Sequence, residues 1–160
     1  MAVINVAAEY DISPAFSVLL PFYYSPADYF TSARKFRIFC VQPEVRYWFR
    51  QVDGLFTGVH IGVASYNYAL KSSTYRYQNS DTGAPLLNVG LAAGYRLPLD
   101  KKQRWCLEFS LGVGYASLNY DRFFNIPNGA YVDPRHENFF GIDHVGISVG
   151  YRIDWKGGRR

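Results

Sequence analysis

"CVQPEVRYWFR", Cys40 to Arg50, decides how the rest of the chain is read. Val41, Pro43, Val45, Tyr47 and Phe49 fall on one side of it, and Cys40, Gln42, Glu44, Arg46 and Trp48 on the other. That period of two is the signature of a strand with two unlike faces. A proline and the charged Glu44 and Arg46 inside an otherwise greasy run pose the question of which face meets water.

The same grammar recurs in seven runs, at about Ala2–Asp11, Phe16–Ser25, Lys35–Phe49, Leu55–Tyr68, Leu86–Leu97, Trp105–Phe123 and Phe139–Ile153. One face is apolar, as in Val59, Ile61 and Val63, or Phe109, Leu111 and Val113. The other is mixed: Gly58, His60 and Gly62; Asn88, Gly90, Gly94 and Arg96; Glu108, Ser110, Gly112 and Gly114; His144, Gly146, Ser148, Gly150 and Arg152. In a soluble barrel or sandwich the apolar face is the core, whereas in a membrane barrel it meets lipid and the mixed face fills the lumen. A solvated sheet face is normally rich in charged residues. Here it is mostly Gly, Ala and Ser with isolated ions, which suits a narrow lumen where small residues make room for a few large polar ones. The reading is an all-β transmembrane antiparallel up-and-down β-barrel. Burial of Val59, Leu91, Phe109 and Ile147 in a dry centre, with Arg46 and Glu108 in solvent, would reverse it.

Composition agrees. The 160 residues are 18% aromatic, with 14 Tyr, 12 Phe and 14 Gly, and 19% charged, against about 25% charged in ordinary globular chains. One barrel domain is expected over residues 1–155, followed by a short basic tail at 156–160. No apolar run approaches the roughly 20 residues of a membrane helix. The net charge of +4 is scattered rather than clustered, so nucleic acid is not an expected partner.

Short connections ("DISPA", "RQVDG", "PLDKKQR") alternate with long ones ("SPADYFTSAR", "ALKSSTYRYQNSDTGAP", Phe124–Asn138), the pattern of periplasmic turns and outer loops. With the short turns on one side, Tyr10, Phe16, Tyr47, Phe49, Tyr95, Trp105 and Tyr151 form an aromatic girdle at that rim, where amphipathic rings favour an interface. Tyr24 and Tyr115 are candidates for the other rim. Bacterial single-chain barrels have an even strand count. Here the first and last runs both descend, so eight strands are expected in the complete protein. The eighth, with a signal peptide, is expected upstream of "MAVINVAAEYDIS", which has no basic leader region.

"VQPEVRYWF" (Val41–Phe49), "GVHIGVASYN" (Gly58–Asn67) and "LEFSLGVGYASLNYDRF" (Leu107–Phe123) together resemble a Bacteroidetes family catalogued as domain of unknown function 3575. The resemblance covers nearly the whole chain and implies a small, OmpA-like outer-membrane barrel. It implies location and fold more than activity. "SVGYRIDW" is similar to the signal read by the barrel-assembly machinery, with Ser148, Gly150, Ile153 and Trp155 in the matching places.

Five ions, Glu44, Arg46, Arg96, Glu108 and Arg152, are expected to point inward at the turn end and to form a salt-bridge network, because buried charges must be paired. Gln42, His60, Asn88 and His144 are expected as further polar lumen residues. His60 and His144 lie on well-separated strands without a third ligand at metal spacing, so neither a metal site nor any cofactor is expected. Cys40 and Cys106 are expected as free thiols, too far apart to join. Pro43 donates nothing to a ladder, so a bulge or weakened pairing is expected there. Asp133, His136, Glu137 and Asp143 could supply an acid/base pair, but no nucleophile stands at a recognisable spacing, and the chain is not expected to be an enzyme. Arg34, Lys35, Lys71, Arg76, Arg122 and Arg135, interleaved with Tyr29, Phe30, Tyr75, Tyr77, Phe123, Phe124 and Tyr131, suit lipopolysaccharide phosphate or a surface protein partner. The expected role is structural or adhesive, in the bacterial outer membrane. A narrow, porin-like channel for ions or small solutes is the alternative.

Overall fold

The computed structural model describes residues 4–28, 35–69, 73–80 and 85–153. Among them nine strands form one antiparallel sheet: β1 (Ile4–Ser13), β2 (Phe16–Asp28), β3 (Lys35–Val41), β4 (Glu44–Trp48), β5 (Leu55–Ala69), β6 (Tyr75–Asn79), β7 (Leu86–Pro98), β8 (Trp105–Phe124) and β9 (Tyr131–Tyr151). No described helix is long and apolar enough to cross a membrane.

The strands follow one another up and down. Ladders join β1 to β2, β2 to β3 and β4, these two to β5, then β5 to β7, β7 to β8 and β8 to β9. β3 and β4 are one traverse interrupted at Gln42 and Pro43. The register carries across without slipping, from Phe22 opposite Val41 to Leu19 opposite Glu44. Proline therefore weakens the pairing and makes no bulge; its carbonyl still accepts from the Ile61 amide at 3.1 Å.

Two connections expected as loops contain strand. β6 pairs with the far ends of β5 and β8, and β9 begins at Tyr131 rather than Phe139. The short turns are tighter. In the β4–β5 turn Gly54 has φ of 83°, and a Cβ there would lie 2.2 Å from the Arg96 carbonyl. Only glycine fits a left-handed position pressed against another backbone.

The sheet is strongly rolled. β1 and β9 are six strand steps apart, about 29 Å if the sheet were flat at about 4.8 Å per step. Yet Arg152, just past β9, holds Asp11 of β1 at 2.8 Å. Among the described residues no backbone ladder joins β1 to β9.

Burial is inverted relative to a water-soluble sandwich. Val59, Leu91 and Ile147 are 54%, 58% and 72% exposed, while Arg46 and Glu108 are 2% and 7% exposed. The outer apolar face ends in aromatic rings. At the turn end Phe16, Tyr47 and Phe49 stack in sequence, with ring centroids 5.3 and 5.2 Å apart, and Trp105 meets Tyr151 at 4.9 Å. Tyr10 and Tyr95 also face outward. At the opposite end Tyr24 pairs with Phe39, and Tyr115 with Phe140, all four exposed. The second rim thus has two more members than the sequence suggests.

Candidate functional site

The enclosed face holds two polar layers. The layer nearer the short turns contains three carboxylates and two guanidiniums. Arg46 on β4 donates from Nε to Glu44 at 2.7 Å and grips Glu108 on β8 with both terminal nitrogens at 3.0 Å. Its Nη1 also lies 3.6 Å from Glu9 on β1. Arg96 on β7 bonds Glu108 at 2.6 Å and contacts Glu9 directly. Both guanidiniums lie on aromatic faces, Arg46 over Phe56 at 4.2 Å and Arg96 over Trp48 at 4.5 Å. Trp48 donates to Ser17 and Ser17 to Glu9, at 2.8 and 2.6 Å. Burial is affordable because nearly every charge faces an opposite charge with hydrogen bonds.

Glu44, Arg46, Arg96 and Glu108 are therefore brought together as the alternation predicts. Arg152 is not. It lies past the end of β9, more than half exposed, and pairs with Asp11 at the rim. Glu9 and Phe56 belong to the cluster and were missed. The signal was present, since both occupy inward positions in their runs.

The second layer sits near mid-height. His60 on β5 is buried, and its Nε2 lies 2.6 Å from Asp143 Oδ2 on β9. Asn88 on β7 donates to the same oxygen at 3.1 Å. His144 Nδ1 is 3.4 Å from Asp143 Oδ1, and the two imidazole centroids are 5.6 Å apart. The expectation that the histidines stand apart without a third ligand is corrected. Around the sheet they are well separated, but across the rolled interior they meet, and one ligand-capable atom from each of His60, Asp143 and His144 lies within 4.8 Å of the others.

A β-bulge supplies the third member. Gly112 pairs with His144 while Val113 pairs with Ile142, leaving Asp143 as the extra residue. A bulge re-aims side chains. Asp143 and His144 both turn inward, flanked by Val145 and Ile142, which both face outward. Strict alternation would have sent Asp143 out. Glycines make the space: a Cβ on Gly90, Gly112 or Gly114 would fall 2.5 Å from His60 Nε2, 2.3 Å from His144 Nδ1 or 2.3 Å from Asp143 Oδ2. Gln42 is buried nearby, its Cγ close to the space above Gly62. Cys40 and Cys106 are free.

Beyond Tyr115, β8 and β9 continue as a hairpin backed by β6. Asp133 accepts from Arg122 at 2.6 and 2.8 Å and from Arg135 at 3.0 Å. The bond from Arg122 holds its carboxyl below the usual range. Tyr120 donates to Glu137 at 2.8 Å, and burial followed by that bond pushes the phenol up to about 12. His136 bonds Asn119. Asp133, His136, Glu137 and Asp143 thus take separate sets of partners and do not converge. Arg76 lies over Phe123 and Arg122 over Tyr75, each at 4.7 Å. These two cations are engaged by neighbouring aromatics more than the sequence suggests. Tyr29, Phe30, Arg34, Lys71 and Trp155 lie outside the described residues; Ser148, Gly150 and Ile153 lie on or just past β9.

The family model described as "Protein of unknown function (DUF3575)" matches residues 1–153. No curated protein and no solved structure matches the chain. With the match spanning all but the last few residues of the polypeptide, the chain belongs to the DUF3575 family.

Proposed function

We propose that the chain is a small outer-membrane β-barrel with a structural or adhesive role, a plugged polar interior, and a projecting hairpin that contacts lipopolysaccharide or a surface protein. The inverted burial carries this reading: Leu91 and Ile147 outside, Arg46 and Glu108 within. A continuous apolar surface of that extent is rare on a monomer in water and ordinary in hydrocarbon. The height of the belt agrees. Trp105 to Tyr115 is ten steps along β8, about 34 Å of strand, or about 24 Å when tilted by about 45°, close to the roughly 25 Å apolar band of bacterial barrels.

In this reading the edges of β1 and β9 are closed in the membrane, because an open backbone edge in lipid costs several kcal/mol per group. The last strand carries the signal for the barrel-assembly machinery, and the hairpin with Arg122, Arg135 and Phe123 faces outward from the cell. A narrow channel is the competing reading. It needs a path past Arg46, Phe56 and His60, each 2% exposed or less, so the interior favours a plug.

Folded protein should need detergent and should migrate faster on gels unheated than boiled. In planar bilayers it should give no discrete conductance steps. Discrete steps would sink the plug, and monodisperse behaviour without detergent would sink the membrane assignment.

A further inference from the structure

We propose that His60, Asp143 and His144 form a binding site for one divalent transition-metal ion of the zinc class. The site goes beyond the role above and depends only on the interior of the sheet. Two imidazoles and one carboxylate are a donor set for borderline ions such as Zn²⁺, Co²⁺ or Ni²⁺. Ca²⁺ and Mg²⁺ want mostly oxygen ligands, and only one carboxylate is present in the cluster.

A simple hydrogen-bonded pair does not account for the arrangement. The contact between His60 Nε2 and Asp143 Oδ2 satisfies one side of each residue. His60 Nδ1, Asn88 Oδ1, Asp143 Oδ1 and His144 Nδ1 are all buried without a hydrogen-bond partner among the described residues, and the last two face each other at 3.4 Å. The His60 side chain is itself fully buried. Buried polar atoms are nearly always satisfied, and four orphans in one cluster call for an explanation. An ion held between Asp143 Oδ1 and His144 Nδ1, with His60 Nε2 beside them, would take up the lone pairs that face one another there.

The backbone is arranged around this cluster. The bulge exists at the one residue whose side chain completes the set, and bulges are commonly found where a side chain must be re-aimed. Glycines at 90, 112 and 114 leave room that any Cβ would fill, although glycine weakens a strand interior. Asn88 donates its amide to Asp143 Oδ2 at 3.1 Å and so orients the carboxylate, the role that outer partners of metal ligands usually play. Three protein donors leave at least one coordination position open, the pattern of exchangeable rather than closed structural sites.

The test uses the full chain without a histidine tag, folded in detergent micelles and stripped with chelator. Equilibrium dialysis against ZnCl₂ with elemental analysis should give one ion per chain. CoCl₂ should give visible d–d bands without thiolate charge transfer. Asp143→Asn and His144→Gln should each abolish both signals. Asn88→Ala should weaken binding about 10- to 100-fold, and His136→Gln, on the projecting hairpin, should leave it unchanged. The unheated gel shift certifies the fold of every variant, and Asn88→Ala serves if a ligand variant does not fold. No ion on the folded wild-type protein overturns the proposal. So does an ion held equally well by the folded ligand variants, or by Asn88→Ala where those do not fold.

Discussion

His60 and Asp143 stand 2.6 Å apart although two strands, β7 and β8, lie between theirs in the sheet. On a flat sheet three strand steps would separate them by about 14 Å. Rolling of the sheet and the reach of the two side chains close that distance, and the bulge turns Asp143 inward to meet the imidazole.

The glycines around this pair should be intolerant of a methyl group. In Gly112→Ala the new Cβ would meet His144 Nδ1 at 2.3 Å and Asp143 Oδ1 at 2.5 Å, an overpacking that costs about 1–3 kcal/mol. Gly146→Ala meets only the Ser110 hydroxyl, which can rotate, and should cost less. Urea unfolding in micelles measures both; equal losses would refute the packing argument.

The charge cluster makes an asymmetric prediction. Glu9, Glu44 and Glu108 face Arg46 and Arg96, so one carboxylate is in excess. Arg46→Met would leave three carboxylates with one guanidinium and should cost about 3–5 kcal/mol, the range for breaking a buried pair. Glu44→Gln leaves two against two and should cost distinctly less. Arg152→Ala, at the exposed rim pair, should cost under about 1 kcal/mol. A ranking with Glu44→Gln worst would contradict this account, whichever method measures unfolding.

Outward positions should read depth. If the apolar face meets hydrocarbon, Leu91→Arg near mid-height should destabilise by about 2–4 kcal/mol in bilayers, and Leu87→Arg near the far rim by about 0–1. Refolding titrations into lipid vesicles provide the comparison. Equal and small effects at both positions would argue against a bilayer around the sheet.

Acid should loosen the projecting hairpin first. Asp133 has its carboxyl held below the usual value by Arg122. A depressed native value gives stability that is present above the unfolded-state pKa, about 3.9, and lost as pH falls through the native value. Amide exchange in β9 near Asp133 should therefore accelerate below about pH 4. Asp133→Asn should remove that pH dependence while leaving exchange near Ile147 unchanged.

Much of this was legible from the letters alone. Seven traverses, the inward placement of Glu44, Arg46, Arg96 and Glu108, and the outward aromatics follow from a period of two, which is local and survives any tertiary arrangement. What strand meets what across the interior is not local. Curvature brought Glu9 to Arg96 and His60 to His144, and the end of β9 released Arg152 to Asp11. One extra residue reversed the face of the stretch before it in β9, back to a second irregularity at Val132, since alternation carries no memory across an insertion. The sequence wrote the two faces; only the rolled sheet and its bulge decided that a carboxylate should stand between two imidazoles.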